Sequence, residues 1–509
     1  MRAMKAGPRA ALAALSGVLY FTGYTGFGQF YLTWICFVPA LLAVRGCSTR
    51  RALALGLVFG WVTQLGGFYW ISEMLQEFAG FPAPAAWLGT FLLCLYQALI
   101  CAASLAWVRF AENSRGWAPV WTLPIAMTAI EFVYPLIFPN YIGYSQYRFL
   151  AVTQVVELAG LSGLTALLMG INGAVYEGIS ARLAGRRVVR LRLWLPAAAL
   201  GFAVVYGLAR VPALDRETAG SRTLRVAMVQ ENIGAAAKAR LVNESVDRHV
   251  ASTRAALAAD PSIDLVVWPE TVYAQAVPRS PGPIRGLLGR GIDVPLVFGA
   301  ISHDASGAVF NSLVLASSTG RMLGIFDKVE LVAFGERIPF AETFPLLAEW
   351  IPAPSQLSPG TRFDHLVLED GTRLLPIICY EDIIPSLVRR LWTRAGPAHV
   401  LVNATNDSWY GATHEPRTHL AMASFRSIET RRALIRSTNT GISAFVDPVG
   451  RIVARSAERE RAVLIADVPL IESNSTTPYL RYGDWFGWLC LGLLTAGTAL
   501  CVIRPGAPR

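Results

Sequence analysis

Cys379, Glu270 and Lys328 are the residues of this sequence whose types and positions best suit covalent chemistry. Of seven cysteines, six (Cys36, Cys47, Cys94, Cys101, Cys490 and Cys501) lie in or beside long apolar runs, and Cys379 alone falls in the polar-textured second half. A lone cysteine facing an oxidising compartment is either buried and inert or kept for its thiol. Cys379 ends the apolar run 374–378 and is followed at once by Tyr380, Glu381 and Asp382. A strand that stops at a nucleophile and turns into a helix exposes the thiol, and the helix N-terminus favours the thiolate. Glu270, in Trp268-Pro269-Glu270-Thr271, stands just past another apolar run, where α/β sheets carry their functional groups. Lys328 lies between them, in the segment 326–336 (FDKVELVAFGE). Each of the three is commonplace taken singly.

Residues so far apart need a scaffold. From Thr223 onward, β-rich runs at 224–230, 265–268, 296–300, 312–316, 374–379, 400–403 and 442–446 alternate with helix-like stretches such as 246–259 and 418–435. That alternation predicts an α/β layered domain. Asp370-Gly371 and Pro448-Val449-Gly450 mark expected hairpins.

The rest of the chain is of another kind. Its 509 residues are 53% hydrophobic and 16% charged, against about 25% charged in a soluble protein. Apolar runs cover 11–27, 31–44, 53–71, 85–108, 117–137, 152–175, 193–208 and 485–502. Most approach the roughly 20 residues that cross a ~30 Å hydrocarbon core, so about eight transmembrane helices are expected. The net charge of +10 comes largely from arginines in alternate short loops: Arg45, Arg50 and Arg51; Arg109 and Arg115; Arg182, Arg186, Arg187, Arg190 and Arg192. No basic stripe interleaved with aromatics suggests nucleic acid; the pattern fits bilayer orientation, with both termini cytoplasmic and 210–484 outside. Glu131 and Glu157 fall within apolar runs, where an acid is either functional or placed at a span end to reach the interface.

Taken together, the WPET segment, the ICYED segment and a lysine eight residues before the glutamate of Phe334-Gly335-Glu336 resemble the nitrilase superfamily. With apolar runs on both sides, nearly the whole chain resembles that superfamily's membrane-embedded apolipoprotein N-acyltransferase family. The resemblance implies a polytopic α-helical membrane domain (1–210, with a last span at 485–503) and an extracytoplasmic α/β/β/α sandwich (222–472) in a bacterial inner membrane. It implies Glu270 as general base, Lys328 as oxyanion cation and Cys379 as nucleophile, with Glu336, Glu381, Tyr380, Asn311 and Trp409 as supporting or substrate-binding residues. It also implies a phospholipid acyl donor such as phosphatidylethanolamine, a diacylglyceryl-cysteine apolipoprotein acceptor, a monomer, and neither cofactor nor metal. A membrane-tethered amidase using water as acceptor is the rival expectation. Two departures stand out: Ala333 where the family commonly has proline, and a loop at 233–239, ending at Ala239, that lacks the usual aromatic residue.

Other features carry weaker expectations. The stretch 340–359, rich in Phe, Leu, Trp and Pro, is expected to be a lid dipping into the bilayer or a loop packed on its own domain. His414 and His419 with Glu415 suggest a zinc helix, but the histidines are five residues apart and Pro416 intervenes, so a structural or substrate-facing role is expected. The segment 406–409 is expected to form a loop beside the site, and the arginine-rich run 426–436 to be a solvated helix face, with Arg431 and Arg432 available to lipid headgroups.

Overall fold

The computed structural model describes residues 5–77, 80–234, 242–279, 282–284, 287, 289–333, 335–337, 357–472 and 474–503. Two compact units emerge: Met1–Glu73, Pro82–Val211 and Arg481–Arg509 form one, and Met74–Phe81 with Pro212–Leu480 the other. Most of the expected lid, and the loop departure at Ala239, lie outside the described residues.

The first unit is helical. Five helices are long and apolar enough to cross a membrane, among the described residues: Thr49–Phe68, Ala83–Arg115, Val156–Leu183, Arg190–Ala219 and Trp485–Ile503. Phe30–Val44 and Pro119–Val133 are shorter apolar helical stretches, and the first run is a helix over Ala6–Gly23. Small residues set the packing. A Cβ on Gly60 would lie 2.5 Å from the Ala98 carbonyl oxygen, so the helices Thr49–Phe68 and Ala83–Arg115 approach closely only because that side chain is missing. Both acids in the apolar runs stand near a helix end, as one reading of the sequence expects, but each is buried among the helices. Glu131 is buried and accepts from Ile142 N (2.8 Å) and Thr165 Oγ1 (2.6 Å). Glu157 is buried and bonded to Tyr206 and to Arg210, whose Nε lies 2.8 Å away.

The second unit is a sandwich of two sheets. The first is built from β1 (Thr223–Gln230), β2 (Leu265–Val267), β3 (Tyr273–Pro278), β4 (Leu296–His303), β5 (Val309–Ala316), β6 (Met322–Asp327) and β13 (Ala462–Pro469). Its order is β13-β1-β2-β4-β5-β6, with β3 also paired to β4. The second holds β7 (Leu366–Val367), β8 (Arg373–Ile378), β9 (Val400–Thr405), β10 (Leu434–Thr438), β11 (Ala444–Val446) and β12 (Ile452–Arg455), in the order β12-β11-β10-β9-β8-β7.

Strand alternation builds the layers. Val226 and Met228 of β1 face the other sheet, in one core with Leu375, Ile377, Leu401 and Ile435. Ala227 and Val229, one residue out of phase, face the helix Val242–Ala259 through Val246 and Val250. The helices Pro385–Ala395 and Glu415–Thr430 pack against the second sheet through Leu387, Leu391, Leu420 and Ala423. The α/β/β/α order expected from the sequence is therefore present.

The expected strands form, and both hairpin signals mark turns, between β7 and β8 and between β11 and β12. The arginine-rich run is a correction. The helix there ends at Thr430, and residues 434–438 are a central strand rather than its continuation. Arg426, Arg432 and Arg436 are wholly buried and Arg431 nearly so, so this is no solvated face. Arg432 donates to the Ala398 carbonyl and lies over the Trp392 ring.

Candidate active site

The sheet directions explain why three distant residues meet. β2 and β4 run parallel, β5 reverses and β6 reverses again, so β2 and β6 end at the same edge of the first sheet. Glu270 follows β2 and Lys328 follows β6, while Asn311 lies near the start of the reversed strand β5. Lys328 N donates to the Asn311 carbonyl at 2.8 Å, which locks the two chains in register there. Gly299 on β4 is a requirement of this edge: a Cβ there would stand 2.3 Å from Thr271 N and 2.5 Å from Glu270 Cα.

The side chains converge in a buried group. Lys328 Nζ lies 2.8 Å from the Glu336 carboxylate and 3.6 Å from Glu270 Oε1. Asn311 Nδ2 donates to Glu270 Oε1 (2.6 Å) and Glu336 Oε1 (3.1 Å), and Val332 N donates to Glu336 Oε2 (2.9 Å). Burial pulls the Lys328 ammonium toward losing its proton, but the Glu336 and Glu270 carboxylates outweigh it and hold the charge well above the ordinary lysine range. A fixed cation in a water-poor site is what an oxyanion needs.

Cys379 stands at the end of β8 with φ 51°, a left-handed conformation costly for a side-chain-bearing residue. Glu381 secures that turn. Its carboxylate accepts from Ile378 N (2.8 Å), Val329 N (2.6 Å) and Glu330 N (3.0 Å), tying the Cys379 turn to the chain just past Lys328. Burial nevertheless pushes the Glu381 carboxyl up to about 7 against those donors. Asn403 Nδ2, from the neighbouring β9, reaches the Cys379 carbonyl at 3.4 Å. Tyr380 is half-buried against the inter-sheet core, and Trp409 is half-buried on the turn Asp407–Tyr410.

The thiol differs from expectation. Cys379 opens a short 3₁₀ turn, Cys379–Ile383, and the thiol is 5% exposed. Burial pushes its pKa well up and Glu270 adds to the rise, against the pull of Lys328 and the Asn406 N–H. The resting group is therefore a thiol rather than a thiolate, and attack needs a base that takes the proton as the bond forms.

The sequence reading gave no role at the site to Asp382 or Arg436, placed Asp407 only in a loop beside the site, and gave His419 an unspecified structural or substrate-facing role; all four are buried in or behind the Cys379 turn. Their local signals were the ICYED segment for Asp382, the 406–409 loop for Asp407 and, for Arg436, a charged residue inside an otherwise apolar strand run, Leu434-Ile435-Arg436. His419 bonds to Asp382 and Asp407. No group of three or more His, Cys, Asp or Glu side chains is arranged to hold a metal among the described residues.

A nitrilase-type sandwich with an acid and a lysine at one edge of the first sheet and a cysteine at the end of β8 in the second, joined to long apolar helices, defines a membrane member of the carbon-nitrogen hydrolase class. Residues 225–477 match the carbon-nitrogen hydrolase family, and 16–174 match the apolipoprotein N-acyltransferase N-terminal domain. An apolipoprotein N-acyltransferase of Geobacter metallireducens is 32% identical, covering 97% of this chain and 95% of its own. One of Bdellovibrio bacteriovorus is 29% identical over 96% and 92%. A carbon-nitrogen hydrolase structure from Helicobacter pylori aligns with 52% of this chain and 94% of its own, at 16% identity and a TM-score of 0.36. The chain belongs to the apolipoprotein N-acyltransferase family, and it is an acyltransferase.

Proposed function

We propose that this enzyme moves a fatty acyl chain from a phospholipid, phosphatidylethanolamine, to the α-amine of a diacylglyceryl-cysteine apolipoprotein through a thioester on Cys379. The observation that carries the reading is the buried Lys328 ammonium, 2.8 Å from Glu336 and 3.6 Å from Glu270 on the edge facing the Cys379 thiol. The names of the full-length relatives support the acceptor and the reaction class.

In the first half-reaction Cys379 Sγ attacks the donor's ester carbonyl while Glu270 takes the thiol proton. Lys328 and the Tyr380 N–H hold the oxyanion, a donor set whose single members are worth about 10²–10³ in rate. The ester C–O bond breaks, and the lysophospholipid leaves with the proton from Glu270. In the second half the acceptor amine attacks the thioester and gives a proton to Glu270. The C–S bond breaks, and that proton returns to sulfur. Donor product departs before acceptor enters, a ping-pong order. Asn311 and Glu336 hold the base and the cation in place, Glu381 holds the nucleophile turn, and Trp409 lines the substrate path.

The reading extends to placement. Residues 1–210 and 485–503 lie in a bacterial inner membrane with both termini cytoplasmic, and 222–472 is periplasmic, which the loop arginines support. The enzyme works as a monomer.

The test is mass spectrometry of a diacylglyceryl-cysteine peptide incubated with enzyme and phospholipid, beside Cys379→Ala. Acyl mass added on the α-amine, absent with the variant, is expected. Acyl transfer by Cys379→Ala would overturn the nucleophile assignment. Small amides hydrolysed while phospholipid stays intact would favour a membrane-tethered amidase.

A further inference from the structure

Behind the nucleophile turn lies a closed set of charges. Asp382 belongs to the turn Cys379–Ile383, Asp407 to the turn Asp407–Tyr410, His419 to the helix Glu415–Thr430 and Arg436 to β10. Each is at most 2% exposed. His419 Nε2 lies 2.7 Å from Asp382 Oδ1, and His419 Nδ1 lies 2.8 Å from Asp407 Oδ1. Arg436 donates to Asp382 Oδ2 (3.4 Å), to Asp407 Oδ2 (3.2 Å) and to the Ile442 carbonyl (2.9 Å).

The chemistry of the ring sets its charge. An ionised carboxylate only accepts hydrogen bonds, and a neutral imidazole donates from one nitrogen alone. A ring bonded to carboxylates at both nitrogens must donate from both, as an imidazolium. Two carboxylates, one guanidinium and one imidazolium then cancel, which is how a buried charge cluster is made tolerable. The remaining titratable neighbours fit that count. Tyr410 meets the His419 ring edge-on at 6.0 Å, and burial pushes the nearby Glu415 carboxyl up to about 8, so that it is neutral at pH 7. Arg436 and Tyr410 also lie within the electrostatic reach of Cys379.

The cluster joins the two turns that meet at the sulfur. Asp382 is three residues past Cys379, and Asp407 follows Asn406, whose N–H favours the thiolate. We propose that His419, as an imidazolium, is a positioning residue for the acyl transfer, clamping the Cys379 turn to the Asn406–Asp407 turn. The proposal rests on Cys379 being the nucleophile. Burial and Arg436 work against the His419 proton, but Asp382 and Asp407 prevail and lift its pKa to about 9. A group whose folded pKa is raised stabilises fully below its ordinary value, about 6.5 for histidine, so the clamp's contribution is lost as pH rises through about 9.

The experiment is the pH profile of kcat at saturating substrates, from about pH 6 to about 10, for the full chain in lipid nanodiscs. Wild type, Asp382→Asn, Asp407→Asn and His419→Gln are compared, each with a melting curve to establish folding. Wild-type kcat is expected to fall at least about threefold past pH 9. Each Asn variant removes one carboxylate from the ring and should move that limb down by about one pH unit or more. His419→Gln should be about tenfold slower at neutral pH and lack the limb. A wild-type profile flat to pH 10 overturns the proposal, and does so even if every variant fails to fold. Asn variants that are slower but keep the wild-type limb, or a limb retained in His419→Gln, overturn it too. Cys379→Ala separates the two readings: transfer by that variant overturns the nucleophile assignment, whereas an inert Cys379→Ala beside a flat wild-type profile overturns only the clamp.

Discussion

Glu131 of the helical unit and Glu336 of the sandwich are both buried acids, but they are compensated differently; Glu157 of the helical unit, paired with Arg210, is of the second kind. Glu131 in the helical unit is held by a backbone N–H and a hydroxyl, groups with no formal charge. Glu336 in the sandwich also accepts from a backbone N–H, yet its main partner is the Lys328 ammonium, which it shares with Glu270. Glu131 ties a chain turn to its neighbours, for which dipoles suffice. Glu336 fixes a cation where charge must later be stabilised, and a cation without its acids could not stay charged there. Loss of a partner should therefore be mild in the first case and severe in the second.

The largest effect is expected from Lys328→Met. It removes the proposed oxyanion cation and leaves Glu270 and Glu336 buried without a counter-charge. Transfer should fall by about 10³ or more, and stability by about 3–5 kcal/mol near neutral pH. Both acids then gain by protonation, so the stability loss should shrink as pH falls toward about 5. Adding Glu336→Gln should recover much of the melting temperature and none of the rate. If Lys328→Met melts like wild type at every pH, the contrast between the two regions collapses.

Next in size is Gly299→Ala, which tests position without touching charge. The new methyl would press on Thr271 N and Glu270 Cα at 2.3 and 2.5 Å. Thr271 already has φ 52°, so the segment has little room to yield. A cost of about 1–3 kcal/mol and a rate loss of about tenfold or more are expected from melting and single-turnover measurements. A wild-type rate would mean that the Glu270 position is not critical.

Legibility in the sequence divides along the same line. Glu270 and Cys379 each follow an apolar strand run that the sequence marks, whereas Lys328 is singled out only by its spacing to Phe334-Gly335-Glu336, and the strand before it is not among the runs read. Glu336, Glu381 and Asn311 were read through the resemblance, but the charges behind the Cys379 turn were not. Asp382, Asp407, His419 and Arg436 are brought together only by the β8-β9-β10 pairing, across tens of residues. Arg436 lies close behind Arg431 and Arg432, so local pattern reads it as part of a solvated helix; its burial in a central strand depends on β9 and β11. The partners of Glu131, Ile142 and Thr165, were not legible for a similar reason, because they are set by packing rather than by helical spacing. The thiol failed on magnitude: burial outweighs the local dipoles that the sequence alone could weigh.

The smallest effect should come from Thr165→Val in the helical unit. Valine keeps the shape of the buried threonine and removes one neutral hydrogen bond to Glu131, leaving the Ile142 N–H in place. A loss of about 1 kcal/mol is expected, seen as a small drop in melting temperature with transfer near the wild-type rate. The comparison sharpens if Glu131→Gln is read beside it. Glutamine keeps one acceptor oxygen for Ile142 N or Thr165 Oγ1 and turns an NH₂ toward the other, but the threonine hydroxyl can rotate to accept it. Glu131→Gln should then cost no more than about 1–2 kcal/mol, far below the loss of Lys328. A Glu131→Gln enzyme that folds but no longer transfers acyl groups would show that this acid carries a charge the reaction uses, and the two regions would have to be read alike.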